Sequence, residues 1–135
     1  MKSIALTIVT IAAAIGLVLG TASAYNEADL QKLTATGSCV ECDLSGAVLI
    51  HWNLSGANLS GANLASANLT DTFLSGANLS EANLSRAILT STSLTGANLL
   101  RAKVGGAILL FTDMAGATWT DGSQCERHSS GRCRR

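Results

Sequence analysis

The sequence of 135 residues contains no proline and only five aromatic residues. With so few large rings, any hydrophobic core must be built from leucine and alanine. An excess of charge is also absent, because nine basic and nine acidic residues give a net charge of zero. Strong binding to the phosphate backbone of nucleic acids requires a basic face, so this class of function is disfavoured. The length is typical of one domain.

The one long hydrophobic run lies at the start of the chain, from Ile4 to Leu19. Lys2 precedes it and the A-x-A sequence Ala22–Ala24 follows, a pattern that predicts a cleaved signal peptide over residues 1–24. An uncleaved membrane anchor is the alternative. However, a helix needs about 20 residues to span a bilayer, and this run is shorter. Cleavage before Tyr25 delivers the four cysteines to an oxidising compartment. We expect the periplasm, the exterior or, in a cyanobacterium, the thylakoid lumen.

Leucine recurs at every fifth residue through the middle of the chain. Sixteen five-residue units have their centres from Leu44 to Trp119, and thirteen of these centres are leucine. Alanine stands two residues before the centre in eleven units and is often followed by asparagine, so the unit reads A-N-L-x-x. Alanine and leucine two residues apart share one face of an extended backbone, whereas the three-residue step to the next alanine requires a bend. Repeated bends with an inward-facing pair predict a parallel β-solenoid.

The exceptions at the alanine position indicate the length of one coil. Five units lack this alanine, and four of the replacements, Trp52, Thr72, Thr92 and Thr112, recur at intervals of twenty residues, while the fifth is Cys42. Four units therefore make one coil, and sixteen units make four coils with a height of about 20 Å. We expect stacked leucine columns in the core, including Leu54, Leu74, Leu94, Leu59, Leu79 and Leu99.

This repeat resembles the pentapeptide-repeat family, whose consensus is A-(D/N)-L-x-x, from Cys42 to Asp121. The stretch "CVECDLSGA" and the cysteine-containing tail resemble exported bacterial members of the family. The resemblance implies a right-handed quadrilateral parallel β-helix over residues 39–121, of about four coils. It also implies end-to-end pairing into a homodimer, with Trp119 and the last coil as the candidate interface.

Both ends of a solenoid need caps, because unpaired strand edges favour aggregation. Asn26, followed by Glu27 and Asp29, predicts a short capping helix within residues 25–38. Residues 122–135 form a basic tail that is either solvated or closed by a disulfide.

Four cysteines permit three pairings. Cys39 and Cys42 precede the first coil, Cys125 and Cys133 follow the last, and bridged cysteines need Cα atoms within about 7 Å. We therefore predict the local disulfides Cys39–Cys42 and Cys125–Cys133. The first pair occupies a leucine slot and an alanine slot, so two buried free thiols remain an alternative. A redox C-x-x-C site lacks a βαβ context, and a zinc site of all four cysteines meets the same distance limit.

The pattern of polar residues predicts neither catalysis nor a cofactor. His51, Asp71, Ser91 and Phe111 share one outward column, expected on a flat side. Asp71 would lie between His51 and Ser91, whereas a nucleophilic triad needs the histidine in the middle. We expect a surface pair of His51 and Asp71, with the outward Phe73 and Phe111 as weak candidates for a contact patch.

Two functions follow from these features. The first is a non-catalytic exported scaffold or protein-interaction module, which binds a protein partner but neither nucleic acid nor, after leader cleavage, a membrane. The alternative is a DNA mimic that binds a topoisomerase such as gyrase, as the resemblance implies for some members. Residues 39–121 carry six acidic and three basic residues, a weak charge for an imitation of DNA, and export separates the protein from gyrase.

Overall fold

The computed structural model describes residues 24–135. The predicted signal peptide therefore lies, except for Ala24, outside the described residues. Among residues 24–135, no helix has the length and hydrophobicity needed to cross a membrane.

One helix, α1, begins the described chain at Glu27–Thr36. Asn26 caps its start, because the Asn26 side-chain oxygen accepts a hydrogen bond of 2.9 Å from the Ala28 N–H. The two acidic residues of the first turn lie where the helix dipole favours negative charge. Gly37 ends the helix in the left-handed conformation at φ 66°, which glycine adopts without a steric penalty.

After α1 the chain forms an all-β repeat, held by isolated parallel β-bridges instead of long strands. Each parallel bridge joins a residue to the one twenty positions later, as Asn58 pairs with Asn78 and Asn78 with Asn98. The bridges fall into four columns, one for each side of the coil. We name the four sides after their residues in the last coil, which are Lys103, Ile108, Asp113 and Thr118.

A tight turn at each corner bends the chain from one side to the next. The residue in the alanine position donates its N–H to the carbonyl of the preceding leucine, as Ala77 does to Leu74 at 3.0 Å. The third residue of the turn is left-handed, as at Gly76 with φ 67°. Nine corners hold other residues in this conformation, at a steric cost that glycine avoids: Glu41, His51, Ser66, Asp71, Glu81, Arg86, Ser91, Arg101 and Phe111.

Leucine side chains fill the axis of the solenoid. Leu74 is fully buried, and its N–H donates to the Ser93 carbonyl of the next coil at 2.8 Å. The exposed fraction is 6% at Leu54 and 0% at the other leucines named for the core, which are Leu59, Leu74, Leu79, Leu94 and Leu99. Three centres of the last coil are only partly buried, because no further coil covers them: Val104, Leu109 and Trp119.

The threonine column has a structural role that the repeat pattern does not reveal. The Thr92 hydroxyl is buried and donates a hydrogen bond of 2.6 Å to the Leu69 carbonyl in the previous coil. Thr72 and Thr112 make the same contact, with the carbonyls of Leu49 and Leu89 respectively. Each hydroxyl thus provides a second bond to a carbonyl that already accepts from its own corner turn.

Candidate functional site at the C-terminal end

The column of His51, Asp71, Ser91 and Phe111 lies at a corner of the coil, and the expectation of a flat side is wrong. All four residues are the left-handed third residues of turns. His51 and Asp71 are paired, with 3.8 Å between Nδ1 and Oδ2, and both side chains are exposed. Two exposed side chains at a corner can form a surface ion pair when the histidine is protonated.

The tail after the last coil is ordered against the Asp113 and Thr118 sides. Ser130 forms an antiparallel bridge with Asp113, and Gln124 forms one with Thr118. The Met114 N–H donates to the Ser129 carbonyl at 2.9 Å. This arrangement is a cap over half of the solenoid end, which was one of the two expectations for the tail.

Both pairs of cysteines are bonded in the structure, Cys39 to Cys42 and Cys125 to Cys133. The Cys125–Cys133 disulfide holds the two halves of the tail together, and the Glu126 N–H donates to the Arg134 carbonyl beside it. The chain therefore turns back after the last antiparallel bridge. The described tail forms no β-bridge with the Lys103 or Ile108 side, although Gly131 lies beside the Leu109 carbonyl at the corner.

An apolar patch lies at the corner between the Ile108 and Asp113 sides. It consists of Ile108, Leu110 and Phe111, with exposed fractions of 44%, 60% and 75%. We call these three residues the C-terminal apolar patch. In the other coils the same outward positions are mixed, since Asn68, Thr70, Thr90 and Ser91 are polar whereas Val48, Ile50 and Ile88 are apolar. Only in the last coil are all three positions of this corner apolar.

The other two aromatic contact candidates lie outside the C-terminal apolar patch. Phe73 is exposed, but its bridge partner Ser93 places it two coils before Asp113. Trp119 belongs to the Thr118 side and packs partly against the core. The structure therefore gives only Phe111 apolar neighbours on the same exposed corner.

The N-terminal end carries a groove between α1 and the first coil. Leu33, Gly37, Trp52 and Leu54 line a space of about 500 Å³. Trp52 occupies the alanine position of the first coil and is partly buried. The tryptophan therefore lies at the junction between α1 and the solenoid, as one wall of the groove.

Two carboxyl groups have a lowered pKa, one near each end. The Ser45 hydroxyl and backbone N–H donate to Asp43, and these bonds hold its pKa below the ordinary 3.8. Ser123 makes the same two bonds to Asp121, whose pKa falls in the same direction with help from Arg135. Both interactions stabilise turns at the caps. Among residues 24–135, no group of three or more histidine, cysteine or acidic residues is placed to hold a metal ion.

Comparison with known proteins assigns the fold to a family. The sequence model of the family described as pentapeptide repeats matches this chain with eight copies of the repeat, within residues 42–80 and 74–109. The chain belongs to the pentapeptide-repeat family. The resemblance predicted from the A-N-L-x-x unit is thus confirmed. The comparison with curated protein sequences gave no significant match.

Two solved structures of the pentapeptide-repeat family are similar to this member. One is HetL, a protein involved in heterocyst differentiation regulation in the cyanobacterium Nostoc sp. strain PCC 7120. It shares 41% identity over 64% of this chain with a TM-score of 0.64, and the match spans only 40% of HetL. The other is alr5209, a pentapeptide-repeat protein from Nostoc PCC 7120, with a TM-score of 0.63. It shares 31% identity, and the match covers 72% of this chain and 82% of alr5209.

Proposed function

We propose that this protein is an exported, non-catalytic scaffold that binds another protein through the C-terminal end of its solenoid. The C-terminal apolar patch is the observation that carries this proposal. Three neighbouring apolar side chains that stay exposed on a polar surface are typical of protein contact sites. The Phe111 ring is the most exposed of the three, and its backbone is held by the corner turn.

The rigidity of the fold supports a role in binding. A right-handed quadrilateral β-helix repeats each corner at the spacing of one coil, so it presents side chains in fixed register along its sides. Pentapeptide-repeat proteins are generally non-catalytic, and some are regulatory, as HetL is. A regulatory scaffold requires a surface that another protein recognises, and the patch provides one here.

Export is supported by the two disulfides and by the sequence of residues 1–24. Disulfides persist in oxidising compartments and are rare in the cytosol. One disulfide lies next to each cap, so both ends of the solenoid carry an oxidised pair of cysteines. We propose the periplasm or the exterior as the location, or the thylakoid lumen if the source is a cyanobacterium.

Self-association is a second form of the same proposal. Two copies meeting at their C-terminal ends would bury both apolar patches, and Trp119 would lie near the contact. Charge opposes this form, since residues 84–135 carry seven basic and three acidic residues. The DNA-mimic alternative is opposed by the same basic half, because a mimic of DNA presents negative charge.

A capture experiment with two matched variants tests the proposal. The full chain is expressed with its own leader, the N-terminus of the mature protein is determined, and the cross-linked complexes are recovered from each cell fraction. We expect a start at Tyr25, and a partner that Phe111→Asp loses and Phe73→Asp retains. Recovery of uncleaved cytoplasmic protein bound to gyrase would favour the DNA mimic instead. If both variants capture the partner equally well, the C-terminal apolar patch is not part of the interface.

A further inference from the structure

Every coil inside the solenoid is paired to the next by main-chain hydrogen bonds that follow one pattern. On the Lys103 side, the Leu84 and Arg86 N–H groups donate to carbonyls of the following coil at 2.7 and 2.9 Å. The Lys103 N–H donates back to the Ala82 carbonyl at 2.9 Å. On each side that a following coil covers, the earlier coil therefore provides two N–H donors and one carbonyl acceptor.

The tail reproduces part of this pairing on two sides of the last coil. The Gly116 N–H donates to the Cys125 carbonyl, and the Cys125 N–H donates to the Ala117 carbonyl. Both tail segments run antiparallel to the coil that they cover. The edge of the last coil is thus able to accept an antiparallel strand.

The Lys103 and Ile108 sides keep an open edge. Within residues 24–135, the N–H groups of Val104, Gly106 and Leu109 donate no hydrogen bond, and the carbonyls of Ala102 and Ala107 accept none. These five residues define what we call the open edge. Val104, Ala107 and Leu109 are also only partly buried, because the end of the core lies exposed beneath this edge.

The charge around the open edge is positive. Lys103 is exposed on its own side, and the Arg86 side chain lies at the next corner, beside Gly106. Arg101 stands at the preceding corner, where it pairs with Glu81 at 3.6 Å. Over a larger range, residues 84–135 carry seven basic and three acidic residues, whereas residues 24–83 carry one basic and six acidic residues. The C-terminal end of the molecule is therefore basic, with Arg86 and Lys103 at the open edge and four further arginines in the tail.

We propose that the open edge binds an extended acidic segment of a partner protein, which adds to the last coil as one further strand. This inference rests on the proposed function and names the site and the kind of partner. Strand addition derives affinity from main-chain hydrogen bonds and specificity from alternate side chains. Side chains above Val104 and Leu109 face the exposed core and must be apolar, while those above Lys103 face outward and are favoured when acidic.

A second copy of this chain fits the open edge less well than an acidic segment. Its C-terminal end has the same positive charge, so two such ends repel each other. The tail of the same molecule reaches only the corner, where Gly131 lies beside the Leu109 carbonyl, and the Cys125–Cys133 disulfide turns it back from there. An independent extended segment meets neither obstacle.

Amide hydrogen exchange of the oxidised, exported protein tests the proposal with two synthetic peptides. The acidic probe is Ser-Val-Glu-Val-Glu-Val-Ser, blocked at both ends, and the control probe has lysine in place of each glutamate. We expect saturating acidic peptide to slow exchange at Val104 and Gly106, which lie on one side of the coil, by about tenfold or more. Lys103→Glu should weaken this peptide about tenfold, equivalent to about 1.4 kcal/mol, and Lys32→Glu on α1 should leave its binding unchanged.

Three results would overturn strand addition. The first is equal protection by the lysine peptide, and the second is the absence of protection at the Val104 and Gly106 amides. The third is protection in the free protein that rises with its concentration, which would identify a second copy as the occupant. Capture of the cellular partner with Lys103→Glu separates this inference from the proposed function. If the variant captures the partner as well as the wild type does, the scaffold function stands and the open edge is not its site.

Discussion

The Thr92 hydroxyl donates a buried hydrogen bond of 2.6 Å to the Leu69 carbonyl, which links two neighbouring coils through a side chain. Main-chain bonds also link these coils beside it, such as the Ser93 N–H to the Thr72 carbonyl at 3.0 Å. The bond lies at a corner, where the Leu69 carbonyl also accepts from the Thr72 N–H. It therefore joins the turn of one coil to the inner face of the next.

Replacing Thr92 by valine keeps the shape of the side chain and removes its hydroxyl. We expect Thr92→Val to lower the free energy of unfolding by about 1 kcal/mol, because a buried hydrogen bond is lost. Thr90→Val is the matched control, since the Thr90 hydroxyl makes no hydrogen bond among residues 24–135. Urea denaturation of both variants measures the difference, and equal midpoints would show that the hydroxyl contributes nothing.

Truncation of a central leucine should cost more than truncation of a terminal one. Leu74 is fully buried between coils, whereas Leu109 is only partly buried at the open end. We expect Leu74→Ala to lower the free energy of unfolding by about 2–5 kcal/mol, and Leu109→Ala by about half as much or less. Thermal and urea unfolding report both values. A larger effect at Leu109 would mean that another chain buries it.

Replacing a left-handed glycine at a corner by alanine should lower the stability of the fold even where the added methyl group has space, because the left-handed backbone itself is unfavourable for alanine. No atom lies within 4 Å of the Cβ that alanine would place at Gly76, so Gly76→Ala tests the backbone conformation alone. We expect a loss of about 1–2 kcal/mol in the free energy of unfolding. Gly105 has equal space without a left-handed backbone, so Gly105→Ala should lose nothing. A destabilisation by the Gly105 variant equal to that at Gly76 would contradict this explanation.

Opening the Cys125–Cys133 disulfide should uncover the rest of the last coil. We expect Cys125→Ser/Cys133→Ser to lower the free energy of unfolding by about 2 kcal/mol. Amide exchange at Met114 and Gly116 should become faster, because their acceptors belong to the tail. The variant Cys39→Ser/Cys42→Ser at the other end provides the control and should leave those two amides unchanged. Unchanged exchange in the first variant would show that the strand pairing holds the tail without the disulfide.

The N-terminal cap should weaken in acid through Asp43. The bonds from Ser45 lower the pKa of Asp43 in the folded state below 3.8, so the unfolded state binds a proton more readily. This contribution is present above the unfolded pKa and is lost as the pH falls through the folded pKa. We expect the free energy of unfolding of the wild type to decline below about pH 4 more steeply than that of Asp43→Asn. Glu27→Gln removes a carboxylate from α1 as a control, and an equal change in slope would contradict a specific role of Asp43.

The fold is largely predictable from the sequence, because its five-residue period matches neither the period of a helix nor that of a strand. Leucine at every fifth residue is incompatible with a straight strand or helix, and Thr72, Thr92 and Thr112 mark the length of a coil. The family and the all-β repeat are confirmed. The prediction that His51 and Asp71 lie on a flat side is wrong, since the pattern shows which residues point outward but not where each turn is centred.

The candidate site was only partly visible in the sequence. Phe111 was identified as an exposed aromatic residue, but its grouping with Ile108 and Leu110 depends on the corner between two sides. The open edge has no sequence signal at all, because Val104 and Leu109 occupy the same kind of position as any central leucine.

The amino-acid sequence by itself determined the repeat, the inward leucines and the coil of twenty residues, because each unit obeys local rules of side-chain direction. Only the tertiary structure decided that the tail covers the Asp113 and Thr118 sides and leaves the Lys103 and Ile108 sides unpaired. That choice depends on where a chain bonded at Cys125 and Cys133 comes to lie across the end, which is a long-range contact that no local pattern encodes.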